Sequence, residues 1–353
     1  MLRGDQRIVL LQHGGLDSLT GKTGLAMLRH RRGPIVAVVD PAHVGGSLEL
    51  ITGIPRAVPV VGSLAEALVH GPEVAVVGLA PSGGRLPDAV RHEALEALRA
   101  GLSLASGLHS LLGTDPDFAA ALRRDRWIWD LRQEPAGLGV GQGRAAMLPC
   151  QRVLAVGTDM AVGKMSACLA LHEAAERRGV CSRFVGTGQA GILISGHGVP
   201  LDAVRVDYAA GAVESAVLGV GGDLSAEGLV LIEGQGSLCH PGSTATLPLI
   251  RGSQPTDLLL VHRAGQTTLD RLPGVPLPPL RDLIQICEGL ASIARPFGSG
   301  SVPKVRAVAL NTARLDEAEA RLAMCSIENT LQLPCIDPIR MGGDELLTAI
   351  RAV

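Results

Sequence analysis

Residues 157–166, GTDMAVGKMS, set a glycine, a run of small residues and the pair Gly163-Lys164 directly after the apolar run Val153-Leu154-Ala155-Val156. Glycines let backbone amides approach anionic oxygens. A helix that starts there adds its positive end, and a lysine adds a point charge. That is phosphate-binding chemistry. The spacing departs twice from G-x-x-x-x-G-K-[ST]: Thr158 stands where a glycine is usual, and Met165 separates Lys164 from the hydroxyl of Ser166. The displaced hydroxyl is the group that ordinarily ligates magnesium, so the departure weakens a magnesium-nucleotide reading and leaves the phosphate reading in place. The expected ligand contacts are Gly157, Thr158, Asp159, Val162, Gly163, Lys164, Met165 and Ser166. No metal is expected, unless magnesium-ATP binds and recruits Ser166 and Asp159.

The second constellation is LVLIEGQGSLCHPGS, residues 229–243. A buried strand here ends in Glu233, with Gln235 and His240 on the loop that follows. An acid at a strand end beside a phosphate loop can orient water or remove a proton, which makes Glu233 and His240 the catalytic candidates. Cys239 is close enough in sequence to carry an acyl group, although a lone cysteine is more often a small apolar residue. Asp202 and Asp207 lie five apart and face opposite sides of any strand, with Asp207 the one expected at the site. GTGQAG, residues 186–191, matches G-x-G-x-x-G, but ILISGHGVP after it does not read as an amphipathic helix, so a ligand-contacting loop is expected in place of a dinucleotide site. Asp40 ends a strand where an acid could bind ribose, without the glycine fingerprint before it. Ser82, Ser106 and His109 are candidates for a small polar pocket. GLDSLTGKT, residues 15–23, echoes the first loop, and helix capping is its expected role.

These loops need strands to hold them. RIVLLQ (7–12), IVAVVD (35–40), AVPVVG (57–62) and VAVVGLAPSGG (74–84) alternate with helical stretches. The second series runs from 152–156 through the helix 164–178 to 181–185, 229–237, 257–262 and 305–312. Strands alternating with helices imply parallel sheets whose strand-end loops gather at one edge. The expectation is an N-terminal Rossmann-like domain (1–134), a Pro- and Gly-containing linker (135–149) and a C-terminal P-loop NTPase-like domain (150–353). With 46% apolar residues in 353, the chain can build such cores. A formal charge of -2 and only six aromatic residues argue against nucleic acid. Seven widely spaced cysteines without C-x-x-C fit a reduced cytoplasm, and no apolar run reaches the length of a membrane span. A homo-oligomer acting on a small molecule is expected.

The motifs VVD (38–40), GLAPSGGRLP (78–87), SGLHSLL (106–112), VGTDMAVGKMS (156–166), FVGTGQAGILISG (184–196), IEGQGSLCHPG (232–242) and GSQPTDLLLVH (252–262) together resemble the P-loop proteins long catalogued as a domain of unknown function, with a D-glutamate N-acetyltransferase as characterised member. The run G-T-D-x-x-V-G-K is also similar to dethiobiotin synthetase. The first resemblance spans nearly the whole chain. It implies transfer of acetyl from acetyl-CoA to the amine of D-glutamate or a related amino acid by direct thioester aminolysis, in D-amino-acid metabolism. CoA carries phosphates that such a loop can hold without magnesium geometry, which accounts for Met165. The implied substrate contacts are Gln189, Asp207, Gln235, Arg85 and Arg205, and glycine-loop amides would stabilise the oxyanion. Two other readings follow from the same loop: a magnesium-ATP-dependent ATPase or ligase of the dethiobiotin-synthetase type, and a nucleotide-binding regulatory protein without turnover.

Overall fold

The computed structural model describes residues 2–81 and 84–352, and Ser82 of the expected polar pocket lies outside them. The chain divides into two compact units. Unit 1 is Met1–Gln133 with Ile192–Gly196, and unit 2 is Glu134–Gly191 with His197–Val353.

Unit 1 is built on six parallel strands: β1 (Ile8–Leu11), β2 (Ile35–Val39), β3 (Val60–Val61), β4 (Val74–Val77), β5 (Ser103–Ser106) and β6 (Ile128–Asp130). Their order is β3-β2-β1-β4-β5-β6, the Rossmann arrangement. Leu10 pairs with Val38 on one side and with Val76 on the other. The central strands are apolar at every position because helices cover both faces. Val9, Leu11, Ala75 and Val77 pack with Leu98 and Phe118 on one face. Ile8, Leu10, Val74 and Val76 pack with Met27 and Leu28 on the other. The sequence pattern implies a strand ahead of the loop 106–110, which is β5, and does not reveal β6. Serines bracket β5, and Ser103 and Ser106 are buried only because their hydroxyls accept the amides of Trp127 and Leu108.

Unit 2 carries β7 (Gln151–Gly157), β8 (Ser182–Val185), β9 (Leu229–Ile232), β10 (Asp257–Arg263), the antiparallel hairpin β11 (Thr268–Leu269) and β12 (Leu272–Pro276), then β13 (Lys304–Asn311) and β14 (Cys335–Ile336). Its main sheet is parallel, in the order β14-β13-β10-β7-β9-β8. The two sheets make the chain a pair of α/β units, as the alternating pattern predicts. In unit 2, β7 lies between β9 and β10, with Leu154 opposite both Ile232 and Leu258. The loops after β7, β9 and β10 therefore leave the sheet side by side. Residues 134–149 belong to unit 2, and the buried Glu214 accepts the amides of Gln142 and Arg144 and the Arg144 side chain.

Two local expectations are corrected. A seven-residue helix, Gln189–Ser195, does follow the glycine loop 186–191. Its single buried stripe, Ile192 and Leu193, is too short to show as a helical period. Asp207 is not on a strand. It is an exposed acid in the first turn of the helix Val206–Gly221, where it complements the helix dipole, while Asp202 lies in the short 3-10 turn before that helix. Among the described residues, no helix is long and apolar enough to cross a membrane.

Candidate functional site

The phosphate loop runs from the end of β7 into the helix Lys164–Arg177. Gly163 has φ +116°, a backbone geometry that a side chain would strain, and Ala161 has φ +55°. The carbonyls of this loop are held from behind. Lys164 Nζ donates to Asp159 O at 2.7 Å, Arg263 Nη2 to Ala161 O at 3.0 Å and Asn311 Nδ2 to Val162 O at 2.9 Å. With the carbonyls turned toward these donors, the amides of Gly163, Lys164 and Met165 are left without a hydrogen-bond partner among the described residues. Adjacent unpaired amides at a helix start form an anion cradle. Arg263 and Asn311 come from the ends of β10 and β13. No local motif marks them, because their role depends on strand order.

Three expected loop contacts have other partners. Thr158 is fully buried, with Oγ1 3.0 Å from His262 Nδ1 and its carbonyl accepting Ser237 Oγ at 2.9 Å. Val162 is buried core. The carboxylate of Asp159 accepts Met160 N, Gln266 Nε2 at 2.7 Å and Asp270 N at 2.8 Å, which straps the β11–β12 hairpin to the loop. These bonds hold its acid below the usual carboxylate range against the opposing effect of burial. Gly157, Gly163, Lys164, Met165 and Ser166 line the loop and the start of its helix. Met165 and Ser166 are half-buried.

Glu233 follows β9 and is 6% exposed. Its Oε2 accepts the amides of Thr187 at 2.8 Å and Gly188 at 3.2 Å, and Thr187 Oγ1 donates to its carbonyl at 2.8 Å. This explains the glycine pattern of 186–191. A Cβ on Gly191 would collide with the Glu233 carboxylate, and one on Gly188 would collide with the Gln235 amide. The glycines make room for an acid of the protein itself. Burial pushes Glu233 up to about 7, while the two amides and Lys164 pull the other way. Lys164, 6% exposed, is pushed down by burial to about 8, with Asp159 and Glu233 opposing. A carboxyl and an ammonium that both titrate near neutrality share one loop edge.

His240 is placed differently. Its Nδ1 accepts the amide of Gly242 at 3.1 Å, so the neutral ring keeps its proton on Nε2 and offers a donor. Its charged neighbour is Asp159. Gln189 opens the helix after the glycine loop, and its Oε1 is buried without a partner. Cys239 is half-buried, and burial pushes its thiol up, away from the nucleophilic thiolate. Arg205 is committed to Glu134 at 2.6 Å and stacks on Tyr208 at 4.7 Å. Arg85 is exposed in unit 1. Also in unit 1, Asp40 is fully buried and its carboxylate accepts the amides of Gly14, Leu16 and Ala42, so no oxygen is left over for a ribose. His109 pairs with Arg132 at 2.7 Å, and Ser106 bonds its own loop.

Family models described as a domain of unknown function match the chain in two parts. A P-loop domain (DUF1611_C) covers residues 139–347, and a Rossmann-like domain (DUF1611_N) covers residues 41–134. The chain is 38% identical over 293 residues to a D-glutamate N-acetyltransferase of Tritonibacter scottomollicae, covering 82% of this chain and 85% of that protein. It is 32% identical over 287 residues to a D-glutamate N-acetyltransferase of a Pseudoalteromonas species, covering 81% and 83%. Its fold matches the crystal structure of a DUF1611 family protein from Anabaena variabilis with a TM-score of 0.91 at 52% identity, over 98% of this chain and 99% of that one.

Proposed function

The chain belongs to the DUF1611 family, and we propose that it is an N-acetyltransferase that moves acetyl from acetyl-CoA to the amine of D-glutamate or a closely related amino acid. The observation that carries this reading is the buried Glu233, clamped by the 186–191 loop beside a phosphate cradle whose lysine is followed by methionine. The names of the two relatives supply the acceptor and the acyl group.

In this mechanism the unpaired amides of residues 163–165, with Lys164, hold the CoA pyrophosphate. Glu233 takes a proton from the substrate ammonium, which requires its carboxylate form and suits an acid poised near 7. The amine then attacks the thioester carbonyl. The C–N bond forms to give a tetrahedral oxyanion, whose collapse breaks the C–S bond. Glu233 passes its proton to the leaving thiolate, and the second proton lost from nitrogen goes to the freed carboxylate and on to solvent. Glycine-loop amides are the expected oxyanion donors, but the two from Thr187 and Gly188 are spent on Glu233. We assign the oxyanion to the side-chain amide of Gln235, which packs against Gly188 and forms no hydrogen bond among the described residues. Arg205 is already paired, so within unit 2 Gln189 is the substrate contact we retain. His240, whose Nδ1 is taken by the Gly242 amide so that the neutral ring donates from Nε2, fits a role in binding better than one as base.

The magnesium-ATP alternative gives metal ligation to Asp159 and Ser166. The three hydrogen bonds on the Asp159 carboxylate work against that role. The test is thiol release from acetyl-CoA with D-glutamate, L-glutamate and no acceptor, with and without ATP. Release that depends on D-glutamate and needs no ATP is expected. ATP hydrolysis without thiol release would favour the alternative, and binding without turnover of either would favour a regulatory protein.

A further inference from the structure

The strapped hairpin carries an unbalanced charge. Its two-residue turn, Asp270-Arg271, is fixed to the phosphate loop through Asp159, which accepts the Asp270 amide at 2.8 Å and Gln266 at 2.7 Å. Arg263 sits behind the turn with Nη1 3.2 Å from Asp270, while its Nη2 holds the carbonyl of Ala161. Arg314, on the loop after β13, reaches Asp270 only at 3.5 Å and is 69% exposed. The guanidinium of Arg271 pairs with no described residue and is exposed. Two arginines thus flank one carboxylate at the β10–β13 side of the cradle, and Arg271 follows that acid on the same turn. A protein that wanted only to pin this turn would need one of them. An exposed unpaired arginine held on a fixed turn is a ligand contact more readily than a structural one, since a surface ion pair adds little stability.

Resting on the acetyl-CoA reading above, we propose that Arg271 and Arg314, backed by Arg263, form the subsite for the 3′-phosphate of CoA. The pyrophosphate and the 3′-phosphate of CoA are separated by a ribose, so one cradle cannot take both. The unpaired amides of the phosphate loop suit the pyrophosphate. The monoester needs a second cationic site one sugar away, on an element whose distance from the loop does not vary. The Asp159 strap supplies that fixed distance. Two guanidinium forks from different elements, β11–β12 and the loop after β13, can grip a tetrahedral monoester from two sides. The expectation that CoA binds on the phosphate loop alone is thereby extended to an element that the sequence pattern does not mark.

The experiment is calorimetric titration of CoA and of dephospho-CoA, which lacks only the 3′-phosphate, into the wild-type protein and the R271A/R314A variant. Wild type is expected to bind CoA roughly tenfold or more tightly than dephospho-CoA. The double variant is expected to bind both at the wild-type affinity for dephospho-CoA. Equal binding of the two ligands by wild type, or a gap that survives in the variant, overturns the subsite and leaves the acetyl-CoA reading standing. Binding of neither ligand by wild type overturns that reading and the subsite with it. Both side chains are exposed, and an unchanged thermal midpoint verifies that the variant is folded.

Discussion

Two loops in this chain look alike on paper, Gly15–Thr23 in unit 1 and Gly157–Ser166 in unit 2. Each follows a buried apolar strand, each places Gly-Lys at the start of a helix, and each helix ends near Arg-Arg-Gly. Only the first has the hydroxyl directly after its lysine. Inside, they are opposites. The loop of unit 1 is filled by its own chain: the buried Gln12 side chain donates to Gly21 O at 2.8 Å, and a Cβ on Gly21 or Gly24 would strike that side chain. The amide of Gly24, at the helix start, is spent on Gly78 O at 2.8 Å. Lys22 is exposed, whereas Lys164 is buried. The loop of unit 2 is held open, with its carbonyls drawn back and its lysine inside. A glycine step therefore marks a close backbone approach, and the group that approaches differs: a glutamine at Gly21 and Gly24, and at Gly188 and Gly191 a glutamine amide and a glutamate.

The sharpest break of this contrast is at the acid. Glu233→Gln should lower turnover by about 10²–10⁴-fold while CoA affinity is retained, measured by thiol release and by titration. Unchanged turnover would remove Glu233 as the base. In the wild type the same group sets an acid limb. Below about 7 Glu233 is protonated and cannot accept a proton, so turnover falls as pH falls. Above about 8 Lys164 loses its charge and carrier affinity should fall as pH rises. The resulting bell describes the interacting pair, and its acid limb should vanish from the residual activity of Glu233→Gln.

A different readout separates the glycines. Gly21→Ala should cost about 2–3 kcal/mol of stability through overpacking against the Gly15 carbonyl and the Gln12 side chain, with CoA affinity unchanged in the protein that remains folded. An affinity loss at constant stability would mean that the loop of unit 1 binds a ligand after all. Lys164→Ala should weaken CoA binding about tenfold or more, in line with loss of a charged hydrogen bond. The paired variant Lys22→Ala should change it less than about twofold, and equal effects would erase the distinction between the loops. An effect smaller than that of Lys164→Ala is expected at Asn311→Ala. It releases only the Val162 carbonyl, and a several-fold loss in CoA affinity would follow from a looser cradle.

Much of the fold was legible from pattern. Apolar runs such as VRAVALN and DLLLVH, buried on both faces, announce parallel strands, and Glu233 and Lys164 stand at strand and helix boundaries where ligands gather. Short or polar elements were not legible: β6, the helix Gln189–Ser195, and the strap hairpin with prolines at 273 and 276 in its second strand. Periodicity needs length, and these have little. Asp207 and Arg205 read as site residues because type alone was visible, and the helix that gives Asp207 its place and the Glu134 that occupies Arg205 were not.

By itself the sequence determined that two α/β units exist, that a phosphate loop opens the second, and that its lysine is followed by a methionine. Tertiary structure alone decided which glycine loop stays open and which is filled. It turned 186–191 from an expected ligand-contacting loop into the clamp on Glu233, and it enlisted Arg263, Asn311 and the hairpin to shape the cradle. The physical reason is that backbone flexibility is written locally, residue by residue, while the occupant of the space it creates arrives from a strand tens of residues away, by the order in which the sheet is assembled.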